Sequence, residues 1–172
     1  IGTGFKYNIT QWLANLGENG EKYMFTHNPR FGYLFFLSQM KSGDTRDMWN
    51  EVLKIIFYIL AIIGIIVISR QKTWWKKAAM LVSIIILLPT NSGFYCGLYL
   101  FPIVVLFFNE EEHNWLDILY MLSMIVILNP FQLMTKKGVN ITLTATNIAM
   151  FVFAGLLLID NIVNFIRVLI EQ

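Results

Sequence analysis

Charge and cysteine are what this sequence has least of. Only 14% of its 172 residues are charged, against 56% that are hydrophobic, well off the balance of a water-soluble domain. Cys96 is the single cysteine, which excludes an intrachain disulfide and a zinc site built from cysteines. The two histidines, His27 and His113, stand far apart and are expected on opposite sides of a membrane, so no shared metal is expected. A net charge of +2, with basic residues scattered or flanking apolar blocks, excludes a nucleic-acid partner. There is no phosphate-cradling glycine loop, no H-E-x-x-H, no nucleophile elbow, no internal repeat and no heptad pattern. No cofactor is expected.

What is present is a series of long apolar runs. Residues Val52 to Ser69 carry one charge, Lys54, and four further blocks carry none: Ala78 to Leu88, Phe94 to Phe108, Ile118 to Leu128 and Ile148 to Ile159. Eighteen helical residues reach roughly 27 Å, close to the hydrocarbon thickness of a bilayer. The expected fold is all-α: a polytopic helical membrane protein with about five membrane segments and short interfacial helices. Residues 1–43 form an extracytoplasmic segment and 44–172 the transmembrane bundle. The chain opens on Ile1 with no basic n-region ahead of a short apolar stretch. That suits a processed chain or, the reading favoured here, the C-terminal piece of a longer protein whose N-terminal membrane half is then expected outside this chain.

Within the first 43 residues, Asn8 reads as an N-cap with Gln11 at N3, and Ile9, Trp12, Leu13 and Leu16 share one helical face. So short a helix needs a surface to lie on, and a membrane interface serves. Residues 31–37 are apolar nearly all round but too few to span, which predicts an interfacial or re-entrant helix. Asp44 is the expected N-cap of the first crossing, with Asp47 at N3, and that crossing exits at Arg70. Arg70, Lys72, Lys76 and Lys77 surround Trp74 and Trp75 and mark the cytoplasmic side. The Pro89–Gly93 stretch breaks the apolar chain between Trp74 and Phe108 into a hairpin of two short segments. Residues 109–114 make a cytoplasmic turn, a fourth segment runs outward from Trp115 to Pro130, and Ile141 to Ile170 forms a last helix that must tilt or protrude. The expected topology is N-terminus outside, C-terminus cytoplasmic, in a bacterial cell membrane.

Three constellations could carry chemistry. The break at Pro89 offers Asn91, Ser92 and Tyr95, uncharged hydrogen-bonding groups suited to a sugar or phosphate oxygen; the competing reading is an ordinary turn. Arg30, Lys41, Arg46, Lys136 and Lys137 fall on the outer side, where a lipid-linked phosphate would need cations; solvated loop charges explain them equally. Asp160, Asn164 and Arg167 sit at i, i+4 and i+7, which predicts an Asp160–Arg167 contact or packing on another helix. Asp117 lies near a helix start, where an acid favours the dipole, and Glu110, Glu111 and Glu112 read as a solvated turn.

At Pro89-x-x-Ser92-x-x-Tyr95, followed by a short helix with Pro102, the chain resembles the multi-spanning glycosyltransferases of the GT-C superfamily, in particular the family 87 type. Tyr7-Asn8-Ile9-Thr10-Gln11-Trp12-Leu13 resembles the amphipathic start of that family's long outer loop. Leu128-Asn129-Pro130-Phe131-Gln132 resembles a helix end, and residues 140–149 the start of a late helix. The resemblance covers the C-terminal part of such an enzyme. It implies sugar transfer from a polyprenyl-phosphate donor on the extracytoplasmic face. Arg30, Asn91, Ser92, Tyr95, Lys136 and Lys137 are the candidates for holding the donor's phosphate. In that superfamily the catalytic acid follows the first membrane helix; nothing here matches it, so it is expected outside this chain. The reading from the other class is a non-catalytic membrane subunit or part of a transporter, in which a broken helix and an intramembrane Asp160 would also be at home.

Overall fold

The structure, a computed structural model, describes residues 31–38, 40, 43–88, 94–129 and 141–171. It holds α1 (Tyr33–Ser38), α2 (Asp44–Ile68), α3 (Trp74–Leu87), a 3-10 helix (Phe94–Leu100) that runs directly into α4 (Phe101–Phe108), α5 (Trp115–Ile127) and α6 (Ile141–Ile170). No strand occurs among the described residues. Every regular element is a helix, and α2 and α6 are long and apolar enough to cross a membrane. The core helix of a soluble protein would also be long and apolar, but it would be buried. Here only 22% of each apolar window is buried.

The exposed positions follow the helical period. Ile55, Ile59, Ile62 and Ile66 on α2 are all more than half exposed, at i, i+4, i+7 and i+11, one continuous stripe. Ile118, Leu122 and Ile125 do the same on α5, and Ile148, Val152, Ile159 and Ile166 line the outside of α6. An apolar surface of that extent would be a liability in water and is ordinary against lipid. The polar residues turn inward: Gln71, Ser83, Asp117, Thr146, Asn147 and Asn161 are buried. In hydrocarbon a polar group finds partners only inside the protein. Ser83 and Ser123 obey this within their own helices, donating to Ala79 O and Leu119 O at 2.8 Å.

Helix ends follow local chemistry, with one correction. Asp44 is the first residue of α2, not its cap. The cap position is Gly43, at φ 147°, and no side chain caps the helix there. Glycine alone takes that backbone conformation without strain, so the chain turns one residue earlier than expected, leaving Asp44 and Asp47 to favour the dipole in the first turn. At α5 the capping box is complete: Asn114 Oδ1 accepts from Leu116 N at 2.8 Å, and Asp117 Oδ2 accepts from Asn114 N at 2.7 Å. α5 stops at Ile127, short of the expected Pro130, and α6 keeps the expected limits.

A column of edge-on aromatic pairs ties four elements together. Phe107 of α4 meets Trp75 of α3 at 5.0 Å, Trp75 meets Tyr120 of α5 at 5.2 Å, and Tyr120 meets Phe153 of α6 at 5.8 Å. Each such contact adds about 0.5–1.5 kcal/mol beyond its buried area. At the other end of the bundle α1, only six residues long, is folded in. Tyr33 packs on Phe57 at 5.1 Å and Phe36 on Phe151 at 5.5 Å. The short helix expected over residues 31–37 is thus packed as a plug against α2 and α6. The amphipathic element expected at residues 8–17 lies outside the described residues.

Gly32 sets the angle of that plug. Its φ is +86°, and a Cβ there would lie 3.2 Å from the Leu87 carbonyl oxygen, a backbone atom that cannot step aside. Gly32→Ala should therefore destabilise the protein by about 1–2 kcal/mol from the left-handed conformation alone, and more from the contact. Thermal unfolding in detergent against Gly155→Ala, where a Cβ meets nothing within 4 Å, is the measurement; equal losses would remove the constraint on Gly32.

Candidate functional site

The bundle has two chemically different ends. At one, Gly32 N donates to Asn147 Oδ1 at 3.0 Å, Gly32 abuts Leu87 at the end of α3, and Gly97 of the 3-10 helix abuts the ring of Phe31. The start of α6, the end of α3, the start of the 3-10 helix and the approach to α1 therefore converge. The residues that flank segments 1–30 and 89–93 are gathered here, beside the helix that comes after segment 130–140. Of the candidates for the donor phosphate, Arg30, Asn91, Ser92, Lys136 and Lys137 lie outside the described residues, as does Lys41. Tyr95 contributes its backbone to the 3-10 helix, and its side chain lies outside them.

At this same end an apolar cleft of about 130 Å³ opens between α2, α3 and α6, lined by Phe57, Ala61, Ser83, Ile84, Ala154 and Gly155. Met80 also lines it, and the side chain of Met80 packs so closely on Gly64 of α2 that a Cβ there would collide with it. The cleft has almost no polar lining, so it can accept an alkyl chain and offers nothing to a sugar.

The opposite end is polar. Lys76 Nζ lies 2.7 Å from Asp160 Oδ2, with the two side chains 11% and 22% exposed. The Tyr120 hydroxyl donates to the same carboxylate oxygen at 3.4 Å. One residue on, Gln71 Nε2 donates to Asn161 Oδ1 at 2.8 Å, while Gln71 Oε1 accepts from Lys72 N and Thr73 N at 2.9 and 3.2 Å. Gln71 thus satisfies two amides of the connector ahead of α3, while Thr73, the cap residue by position, makes no side-chain bond to the helix amides. Asn164 Nδ2 reaches Arg70 O at 3.3 Å. Of the two expectations for this face, the Asp160–Arg167 contact gives way to the other, packing on another helix: Asp160 pairs across to α3, and Asn164 holds the α2–α3 connector. Lys76 wins because Arg167 stands two turns along the same helix, whereas Lys76 projects from a neighbour directly onto Asp160.

Beside this network a cavity of about 240 Å³ lies between the first turn of α3 and the 109–114 turn, with Lys76, Glu110, Glu112, His113 and Asp117 among its lining. His113 Nδ1 sits 3.3 Å from Asp117 Oδ2, the oxygen already engaged with Asn114 N, so Asp117 serves first as a helix cap. Glu111 and Glu112 are exposed, as a solvated turn requires, but Glu110 and Glu112 also wall the cavity. No group of three histidine, cysteine or acidic residues among the described residues is arranged to hold a metal. The most consequential polar residues, Gln71, Asn147 and Asn161, belong to no motif that sequence reasoning picks out. A signal exists nonetheless: Asn147 and Asn161 are fourteen residues apart, nearly four turns, and so share one face of an otherwise apolar helix.

No protein-family model matches this chain, and neither a curated protein nor a solved structure matches it.

The Lys76–Asp160 pair yields a double-mutant test. Lys76→Met leaves an uncompensated carboxylate and should cost about 3 kcal/mol, whereas Lys76→Met with Asp160→Leu should recover most of that loss. Unfolding midpoints of the single and double variants in one detergent measure it. Additive losses would mean that the two groups are not coupled.

Proposed function

We propose that the chain is the C-terminal membrane part of a GT-C-like glycosyltransferase that takes its sugar from a polyprenyl-phosphate donor on the extracytoplasmic face. The observation that carries this reading is the convergence at the Gly32–Asn147 end. The described residues that border segments 1–30 and 89–93 meet there, beside the helix that follows segment 130–140; residues 7–13, Arg30, Lys136 and Lys137 and most of 89–95 and 128–132 belong to those segments and lie outside the described residues. A donor phosphate would be held by those cations and by Asn91, Ser92 and Tyr95. The apolar cleft below suits the alkyl part of a lipid. The general base on the acceptor hydroxyl would come from an acid outside this chain.

In this reading the membrane segments number five: α2, α3, residues 94–108, α5 and α6. Residues 94–108 rise about 26 Å in all, seven residues at the 3-10 pitch and eight at the α pitch, enough to reach across. The Gly32–Asn147 end is then extracytoplasmic and the Lys76–Asp160 end cytoplasmic, as the four basic residues around Trp74 and Trp75 require. The rival transporter reading asks Asp160 to face a path for cargo. Its attachment to Lys76 and Tyr120 speaks instead for a structural role. A non-catalytic subunit is what a failed test would leave.

Two measurements decide. Lys136→Ala combined with Lys137→Ala should weaken polyprenyl-phosphate binding by about tenfold or more, at roughly 1 kcal/mol for each cation near a phosphate surface. Unchanged affinity would take both lysines out of the site. In a Cys96→Ala background, Lys136→Cys should react with an impermeant maleimide from outside the cell and Glu111→Cys only after lysis. The reverse pattern would invert the topology and end the extracytoplasmic assignment.

A further inference from the structure

The Lys76–Asp160 end carries four cations that the fold does not use. Arg70, Lys72 and Arg167 are exposed and Lys77 is half-buried, and none has a carboxylate partner among the described residues. Their neighbour Lys76 is the exception, consumed by Asp160. Of the acids nearby, Glu171 is exposed one turn beyond Arg167 and makes no ion pair among the described residues, and the others are directed elsewhere. Asp160 is paired, Asp117 caps α5, and Glu110 and Glu112 face the cavity beside Trp75, a different flank of α3 from Trp74.

Trp74 and Trp75 divide this first turn of α3. Trp75 is 1% exposed inside the aromatic column, whereas Trp74 is 74% exposed, with Lys77 Nζ 5.0 Å from the centre of its ring. An outward tryptophan with a lysine over its face, one turn from an apolar helix surface, is the arrangement that settles at the headgroup plane of a bilayer. The Asn164–Arg70 hydrogen bond draws the end of α6 onto the connector, which brings Arg167, one turn further along, to the same corner. Arg70, Lys77 and Arg167 thus stand on the α2–α3 connector, the first turn of α3 and the last turn of α6, three elements joined at this end by the Asn164–Arg70 and Lys76–Asp160 contacts.

We infer that this corner is a binding site for the headgroup of an acidic phospholipid, with Trp74 as its interfacial floor. Charge complementarity selects the occupant. A zwitterionic headgroup brings its own cation to a place that already holds three, whereas an anionic one supplies the missing counter-charge through charge-assisted hydrogen bonds. Guanidinium groups at Arg70 and Arg167 can each grip a phosphate with two donors, and Lys77 adds a point charge. The inference requires only that the bundle sits in a bilayer; it stands whether or not the protein transfers sugar.

Native mass spectrometry of the full chain in detergent, titrated separately with phosphatidylglycerol and phosphatidylcholine, tests the site. Phosphatidylglycerol should bind the first site at least tenfold more tightly. Each of Arg70→Gln, Lys77→Gln and Arg167→Gln should lower that preference by about fivefold, in proportion to one cation at a membrane surface. The charge-keeping Lys77→Arg should retain it, and Lys54→Gln, on α2 beside Glu51, should not alter it. If Arg70→Gln or Arg167→Gln fails to fold, the Lys77→Gln and Lys77→Arg pair decides alone. Equal affinity for the two lipids, a preference unmoved by Lys77→Gln, or displacement of phosphatidylglycerol by millimolar inorganic phosphate would each overturn the assignment. The last would make the corner a site for a soluble anion.

Discussion

The packing of these helices depends on buried polar side chains that find their partners on neighbouring elements. Two asparagines of α6 carry most of that burden. Asn147 receives the Gly32 amide and Asn161 receives the Gln71 amide group. Each returns its own Nδ2 to the carbonyl four residues back, Leu143 O at 3.0 Å and Leu157 O at 2.8 Å. Each side chain is therefore satisfied as donor and acceptor at once, and its rotamer is held by its own helix before it meets a partner. α6 is in effect a ruler with one hydrogen-bonding mark toward each of its ends. The short plug α1 is registered against one mark and the α2–α3 connector against the other.

Apolar packing alone could not do this. Lipid tails are as apolar as leucine, so helices gain little hydrophobic energy by meeting each other and rely on close packing and specific bonds. Gly64 lets α2 approach Met80 of α3, and the aromatic column from Phe107 to Phe153 supplies shape. Those contacts tolerate sliding by a fraction of a turn; the Gln71–Asn161 and Lys76–Asp160 bonds do not. Lys76 also accounts for the unequal fates of the basic residues in its stretch. Once it is spent on Asp160 inside the bundle, the remaining cations have no internal role and must look outward.

The elements were legible in the sequence because a membrane helix is a long uninterrupted run, and a run survives ignorance of tertiary contacts. The limits of α6 could be read directly. The split of residues 94–108 was less legible. Nothing in Phe94-Tyr95-Cys96-Gly97 announces a 3-10 turn, although Pro102 near the start of α4 sits where its missing amide costs nothing. The polar partnerships were the hardest. Asp160 to Arg167 is an arithmetic pair on one helix, while Lys76 to Asp160 spans eighty-four residues and exists only because α3 and α6 pack side by side. Sequence spacing sees neighbours along a helix and is blind to those across an interface.

The two ends also differ in how far their buried polar groups are satisfied. The Lys76–Asp160 end closes on itself: its asparagines, glutamine and buried ion pair are satisfied, and its cap is complete. Asp117 Oδ1 alone is left over there, on a carboxylate whose other oxygen is already committed to the cap. An interior so largely answered resists rearrangement, which suits an anchor and not a turnover site. The Gly32–Asn147 end is built differently. There Thr146 is fully buried with its hydroxyl unpartnered, Gly32 is held in a backbone conformation that few residues accept, and an apolar cleft opens beside the plug. Groups held in costly states collect where a structure must accept something else. The asymmetry between a satisfied end and an unsatisfied one is therefore a physical reason, independent of any resemblance, to look for a ligand at the Gly32–Asn147 end.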